Sequence, residues 1–204
     1  MIDMNLEVDI YRQTILEVEP RFDIKKSDKH ILNSIFAWVW KNDNLNSLGL
    51  DYNKGLFLYG TLGRGKTMTL FALREYLRSV RARHSEYHKS DYRLGTYWLS
   101  ASQLANKFAA KGQVDLEEYF ESDCCLFIDE LGREPNPAIN YGTKLNVLQF
   151  LLQMRYDNRR CSVTHVTTNL SLRDIAGHYG DYVADRCLEM FNFIEFNGES
   201  LRQQ

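Results

Sequence analysis

The run Gly60-Thr61-Leu62-Gly63-Arg64-Gly65-Lys66-Thr67 fits the pattern G-x-x-x-x-G-K-[ST]. Each residue type has a chemical reason to be there. Glycines let backbone N–H groups turn inward around phosphate oxygens, where a side chain would block the approach. Lys66 brings a point positive charge to the outer phosphates, and the Thr67 hydroxyl can ligate Mg²⁺. A helix opening at this point adds the positive end of its dipole. The pattern has few fixed positions, so context decides. Here an apolar run, Gly55 to Tyr59, reads as a buried strand before it, and a helical pattern from about Gly65 to Arg83 follows. The candidate nucleotide-binding residues therefore run from Gly60 through Met68. Leu62 and Arg64 fill variable positions often held by smaller residues. Arg64 is expected to lie in solvent rather than on phosphate.

A second group lies downstream. Asp129-Glu130 follows the apolar run Cys124 to Ile128. Carboxylates at the C-terminal end of a central parallel strand sit at the same sheet edge as a phosphate loop. Asp129 then suits Mg²⁺, and Glu130 suits a water poised for in-line attack on the γ-phosphate. Read alone, an acidic pair is an ordinary solvated turn; its place after the phosphate loop favours catalysis. Thr167-Thr168-Asn169 ends the next strand. Read alone, Asn169 is an ordinary strand-ending turn residue; its order after the Asp-Glu strand favours a side chain that reaches between the γ-phosphate and the attacking water.

These residues need a scaffold of alternating strands and helices. Helices are expected over about His30 to Lys41, Gly65 to Arg83, Ala101 to Ala110, Leu116 to Phe120, Leu145 to Tyr156, Leu172 to His178 and Tyr182 to Glu189. Ser27 or Asp28 would cap the first of these. Strands are expected over Gly55 to Tyr59, Thr96 to Leu99, Cys124 to Ile128, Ser162 to Thr168 and Asn192 to Phe196. That alternation implies a parallel sheet covered on both faces. Residues 1–27 read as an arm with little pattern, broken by Pro20. Residues 132–140, with Pro135 and Pro137, read as a loop.

Composition narrows the class. The chain has 204 residues, 44% hydrophobic and 25% charged, enough for one core without a staple. The formal charge is −2, so any nucleic-acid contact must be a local basic patch. Asp3, Glu7 and Asp9 give the first ten residues the wrong sign for a leader. No apolar run approaches the roughly 20 residues of a membrane span, so a cytoplasmic protein without membrane contact is expected. The four cysteines, Cys124, Cys125, Cys161 and Cys187, show no C-x-x-C spacing and read as reduced thiols. Lys107, Phe108 and Lys111 form a basic–aromatic group suited to single-stranded DNA. The competing reading, slightly favoured, is an amphipathic helix burying Phe108. Arg74, Arg78 and Arg81 read as a solvated basic face.

Taken together, GTLGRGKT, CCLFIDELG, MRYDNRR before a strand ending TTN, and YGDYVADRCLEMFNFIEFNGESLR resemble the DnaC/IstB-like group of AAA+ ATPases. These are bacterial helicase loaders and transposition helpers. The resemblance covers roughly Phe22 to Arg202. It implies an α/β P-loop NTPase fold of the ASCE type, a three-layer αβα sandwich. Its five-stranded parallel sheet would have order 5-1-4-3-2, with no sizeable C-terminal lid domain. An N-terminal arm over 1–21 would precede an AAA+ domain over 22–204.

The resemblance also implies roles. Gly60, Gly63, Gly65, Lys66 and Thr67 form the phosphate cradle. Asp129 and Glu130 are the magnesium and water-activating carboxylates, and Asn169 is the first sensor. Arg186 matches the arginine finger acting on a neighbouring subunit's nucleotide, and Arg202 the second sensor. Family members often carry another arginine where this chain has Asp181-Tyr182. For Arg186 the local alternative is pairing with Asp181 or Glu189 on its own helix. The implied activity is Mg²⁺-dependent ATP hydrolysis in a homo-oligomer. The implied partners are a replicative helicase, gripped by the arm, or a transposase, with single-stranded DNA. A helicase loader, a transposition helper and a slow-turnover regulatory switch all remain open; a small-molecule kinase fits less well.

Overall fold

A computed structural model describes residues 3–20, 29–84, 95–120, 124–160 and 163–201. The segment expected to be a patternless arm carries a helix, α1 (Met4–Val18). Asp3 caps it, accepting from the amides of Asn5 and Leu6 at 3.0 and 3.3 Å. Met4, Val8, Tyr11 and Ile15 recur at helical spacing. Glu7, itself buried, interrupts the stripe and hid it from a hydropathy reading. α2 (Lys29–Trp40) forms as expected; its expected caps, Ser27 and Asp28, lie outside the described residues. A one-turn helix, α3 (Asn44–Ser47), interrupts the loop before β1 (Gly55–Gly60).

The remaining order is α4 (Lys66–Arg83), β2 (Thr96–Ser100), α5 (Ala101–Lys111), a 3-10 turn (Gln113–Leu116), α6 (Glu117–Phe120) and β3 (Cys125–Leu131). Then come β4 (Ala138–Asn140), β5 (Thr143–Leu145), α7 (Val147–Asp157), β6 (Thr164–Thr168), α8 (Leu172–Tyr179), α9 (Asp181–Met190) and β7 (Phe191–Phe196). Five strands pair in parallel in the order β2-β3-β6-β1-β7. Numbering those five alone in chain order, and reading from the β7 edge, gives the expected 5-1-4-3-2. Helices cover both faces. α1, α2 and α4 bury one apolar cluster against the sheet, and α5, α7, α8 and α9 bury the other. β1 and the first half of β3 are therefore apolar on both sides, which is why they read as unbroken runs, whereas β6 is buried with mostly polar residues, Thr164, His165, Thr167 and Thr168.

Residues 138–145 correct the expectation of a plain loop after β3. β4 and β5 pair antiparallel, with Tyr141 and Gly142 as a two-residue turn, both at positive φ (45° and 88°). That is the backbone hand of a tight hairpin. Pro135 and Pro137 lie just upstream of β4, where they cost the ladder nothing. Cys125 and Cys187 are buried, and burial pushes the Cys187 thiol up to about 12. Cys161 lies outside the described residues.

α1 is held by more than apolar contact. The Tyr11 hydroxyl donates to Thr69 O at 3.0 Å. Glu7, 3% exposed, meets Tyr76 Oη at 2.7 Å, Arg83 Nη2 at 2.6 Å and His84 Nε2 at 3.0 Å. Burial alone would raise the Glu7 carboxyl. The hydrogen bonds from Tyr76 and His84 and the charge of Arg83 outweigh it and hold the group below the ordinary carboxylate value.

Candidate nucleotide site

β1 delivers the chain to Gly60 at the C-terminal edge of the sheet, and α4 opens at Lys66. Gly60, Gly63 and Gly65 have φ of 118°, 78° and 87°. A Cβ on Gly60 would stand 2.5 Å from Phe196 O, and one on Gly63 2.2 Å from Ser200 Oγ. These glycines thus answer both to backbone hand and to space. The chain after β7 lies against the loop. Thr61 N donates to Phe196 O at 2.9 Å, and Leu201 N to Gly63 O at 3.0 Å. Arg64 joins this contact rather than solvent, its Nη1 donating to Glu199 O at 3.1 Å. Leu62 stays exposed.

Lys66 is buried, and its Nζ donates to Gly60 O at 2.8 Å and Thr61 O at 2.7 Å. The ammonium is held inside the loop by neutral acceptors, for which anionic phosphate oxygens are a stronger exchange. Met68, one residue into the helix beyond Thr67, is part-buried beside the loop.

The Thr67 hydroxyl reaches Asp129 Oδ1 at 2.9 Å. A hydroxyl and a carboxylate oxygen side by side are hard donors, suited to Mg²⁺ that keeps its remaining positions for water and phosphate. Among the described residues no group of three or more His, Cys, Asp or Glu could hold a metal by itself. The Thr67 hydroxyl beside the Asp129 carboxylate fits a cation shared with a nucleotide. Thr67 and Asp129 would hold it, and it would supply charge neutralisation between phosphate oxygens.

β3 and β6 slip out of register between Ile128 and Leu131, a bulge at Asp129-Glu130. Glu130 sits there at φ 58°, with its side chain 40% exposed and 3.3 Å from Arg133 Nη1. Its amide, taken out of the strand ladder, donates to Thr167 Oγ1 at 2.9 Å. Thr167 in turn donates to Asp129 Oδ1 at 2.5 Å. Sequence reasoning singled out Asn169 in this stretch and passed over Thr167. The available signal was its place on β6, opposite the acidic end of β3. Asn169 is exposed one residue past β6, whose last residue, Thr168, pairs with Leu131. Phosphate loop, Asp129, Glu130 and Asn169 thus converge on one sheet edge.

Arg186 lies elsewhere, on α9. Its guanidinium is sandwiched between Tyr156 and Tyr182, 4.4 and 4.7 Å from the ring centroids. Nη1 donates to Tyr156 Oη at 3.0 Å and to Glu189 Oε1 at 3.3 Å; Nη2 donates to Tyr182 Oη at 3.2 Å. Of the two acids weighed as partners, Glu189 is the one engaged. Arg202 lies outside the described residues.

Phe108 is 3% exposed and belongs to the core, while Lys107 and Lys111 both reach Asp115 at 3.3 Å. Base stacking on Phe108 is therefore excluded, and the amphipathic-helix reading holds. On α4, Arg74 and Arg78 pair with Glu75.

No protein-family model and no curated protein sequence matches the chain. Solved structures do. The DnaC helicase loader aligns over 92% of this chain and 98% of its own at 20% identity, with a TM-score of 0.62. A candidate primosome component from Streptococcus pyogenes serotype M3 aligns over 89% and 86% at 18% identity, TM-score 0.58. The replication initiator DnaA, bound to AMPPCP and single-stranded DNA, aligns over 80% of this chain and 46% of its own at 15% identity, TM-score 0.51. At these identities the likeness establishes a shared fold, the AAA+ P-loop fold of DnaC and DnaA.

Proposed function

We propose that this chain is a Mg²⁺-dependent ATPase of DNA replication that acts as a loader for a replicative helicase. The observation that carries the ATPase reading is the cluster at the sheet edge. Thr67 and Thr167 share one oxygen of Asp129, at 2.9 and 2.5 Å, directly after a glycine loop that encloses the Lys66 ammonium. That arrangement supports reading Thr67 and Asp129 as cation ligands, Lys66 as the charge that meets phosphate and Glu130 as the neighbouring catalytic carboxylate. The loader assignment is supported by the near-complete span of the DnaC likeness.

In this reading Glu130 orients the attacking water, Asn169 touches the γ-phosphate, and Arg186 completes the site of an adjacent subunit in a homo-oligomer. α1 is the element offered to the helicase, with Leu6 and Val18 left exposed on it. Single-stranded DNA is the third partner.

The test is phosphate release from ATP and Mg²⁺, with and without the replicative helicase. Glu130→Gln should keep ATP binding and lose turnover by about 10²-fold or more. Helicase should co-elute with the ATP-filled Glu130→Gln protein. Unchanged turnover in Glu130→Gln would refute the catalytic assignment, and absence of helicase binding would refute the loader.

A further inference from the structure

Arg64 fills a variable position of the phosphate loop, yet its side chain turns toward the segment that follows β7. Nη1 donates to Glu199 O at 3.1 Å. The guanidinium covers Gly198, with Cζ 3.5 Å from where a Cβ on that glycine would stand. Residues 196–201 run along the loop, meeting it first at Thr61 and last at Gly63. Ser200 fills the space beside Gly63 that a larger residue would need.

Peptide geometry shows what this tail does to the loop. In a trans peptide the C=O and the following N–H point in opposite directions. Thr61 N donates to Phe196 O at 2.9 Å, and the other end of the same peptide, Gly60 O, accepts from Lys66 Nζ at 2.8 Å. Tail and ammonium hold that peptide from its two sides. Gly63 O accepts from Leu201 N at 3.0 Å, so the Arg64 amide of that peptide points away from the tail. Two peptides of the loop are thus oriented by the tail. A loop amide left free to rotate must be ordered when phosphate binds, and that ordering costs affinity. Amides held in place form a ready concavity for an anion.

We propose that Arg64 is a positioning residue of the nucleotide site. It clips residues 197–201 to the phosphate loop, and the clipped tail keeps the loop's peptides in the orientation that receives phosphate. Arg64 acts through the tail and does not touch the nucleotide. The clip is a donor on a neutral carbonyl, so a lysine, with an N–H donor on a long stem, can replace it. The inference rests on the proposed nucleotide reading of the loop.

The test is isothermal titration of Mg²⁺·ATP into the full chain and its variants. Arg64→Ala should weaken binding about tenfold, the scale of one hydrogen bond from a charged group. Arg64→Lys should recover most of that loss. Leu201→Pro removes the amide that Gly63 O accepts and should weaken binding to a similar degree; Leu201→Ala, which keeps the amide, should lose less. The double variant, Arg64→Ala with Leu201→Pro, should bind no more weakly than Leu201→Pro alone, because both act through one tail. Nucleotide-free melting temperatures should change little, since Arg64 and Leu201 lie outside the two apolar clusters. An Arg64→Ala protein that binds as the wild type overturns the proposal, and so does an Arg64→Lys protein as weak as Arg64→Ala. Losses that add in the double variant overturn it in favour of a direct contact between Arg64 and phosphate. A folded wild type that binds no Mg²⁺·ATP removes the nucleotide reading itself, and the proposal with it.

Discussion

Thr167 Oγ1 lies 2.5 Å from Asp129 Oδ1 and accepts the Glu130 amide at 2.9 Å. One hydroxyl therefore orients the carboxylate assigned to the cation and closes the backbone bulge that aims the carboxylate assigned to water. Thr167→Val keeps the volume and the β-branched shape but removes both bonds. Turnover should fall about 10- to 100-fold, while Thr167→Ser should retain most of it. A steady-state assay comparing the two at saturating Mg²⁺·ATP checks this; equal loss in both would mean the methyl, not the hydroxyl, matters.

Arg186 is held between Tyr156 and Tyr182 in its own subunit, and its side chain keeps 26% of its surface exposed. If it serves a neighbouring site, Arg186→Ala should cut turnover by about 10³-fold or more with nucleotide affinity little changed. Mixtures of Arg186→Ala with Lys66→Ala should regain part of the activity, because each subunit lacks a different half of a shared site. Co-assembled mixtures with no recovery would confine Arg186 to its local contacts.

Glu7 ties α1 to α4 as a carboxylate. Its native pKa is lowered, so the folded state binds fewer protons than the unfolded chain as pH passes between the two values. The stabilisation is present above the ordinary carboxylate range, near pH 4.3, and is lost as pH falls through the native value. Glu7→Gln should cost on the order of 1–3 kcal/mol at neutral pH and shrink that difference in acid. Thermal melts across pH would show it. A constant gap between the two proteins down to the lowest pH would contradict the assignment.

The phosphate loop and the five strands were legible because both rest on short local patterns; the order of those strands came only from the family resemblance. A glycine-rich turn between strand and helix is readable without tertiary knowledge, and so are apolar runs in strands covered on both faces. α1 was hidden because a buried Glu7 breaks its apolar stripe, and only Tyr76, Arg83 and His84 explain why an acid is there. The β4–β5 hairpin was hidden because Pro135 and Pro137 signal a loop, while the turn at Tyr141-Gly142 follows them too closely to stand out. Thr167 was missed for a third reason. Its role comes from register across β3 and β6, and a threonine in a strand is expected on β-propensity alone.

The central claim is that the glycine loop and Asp129 bind Mg²⁺·ATP through Lys66. Isothermal titration of ATP with Mg²⁺ into the full chain and into Lys66→Ala, both verified as folded by circular dichroism, tests it most directly. The predicted result is saturable heat with the native chain and none with Lys66→Ala. No heat from the folded native chain, or the same isotherm from both proteins, would contradict it.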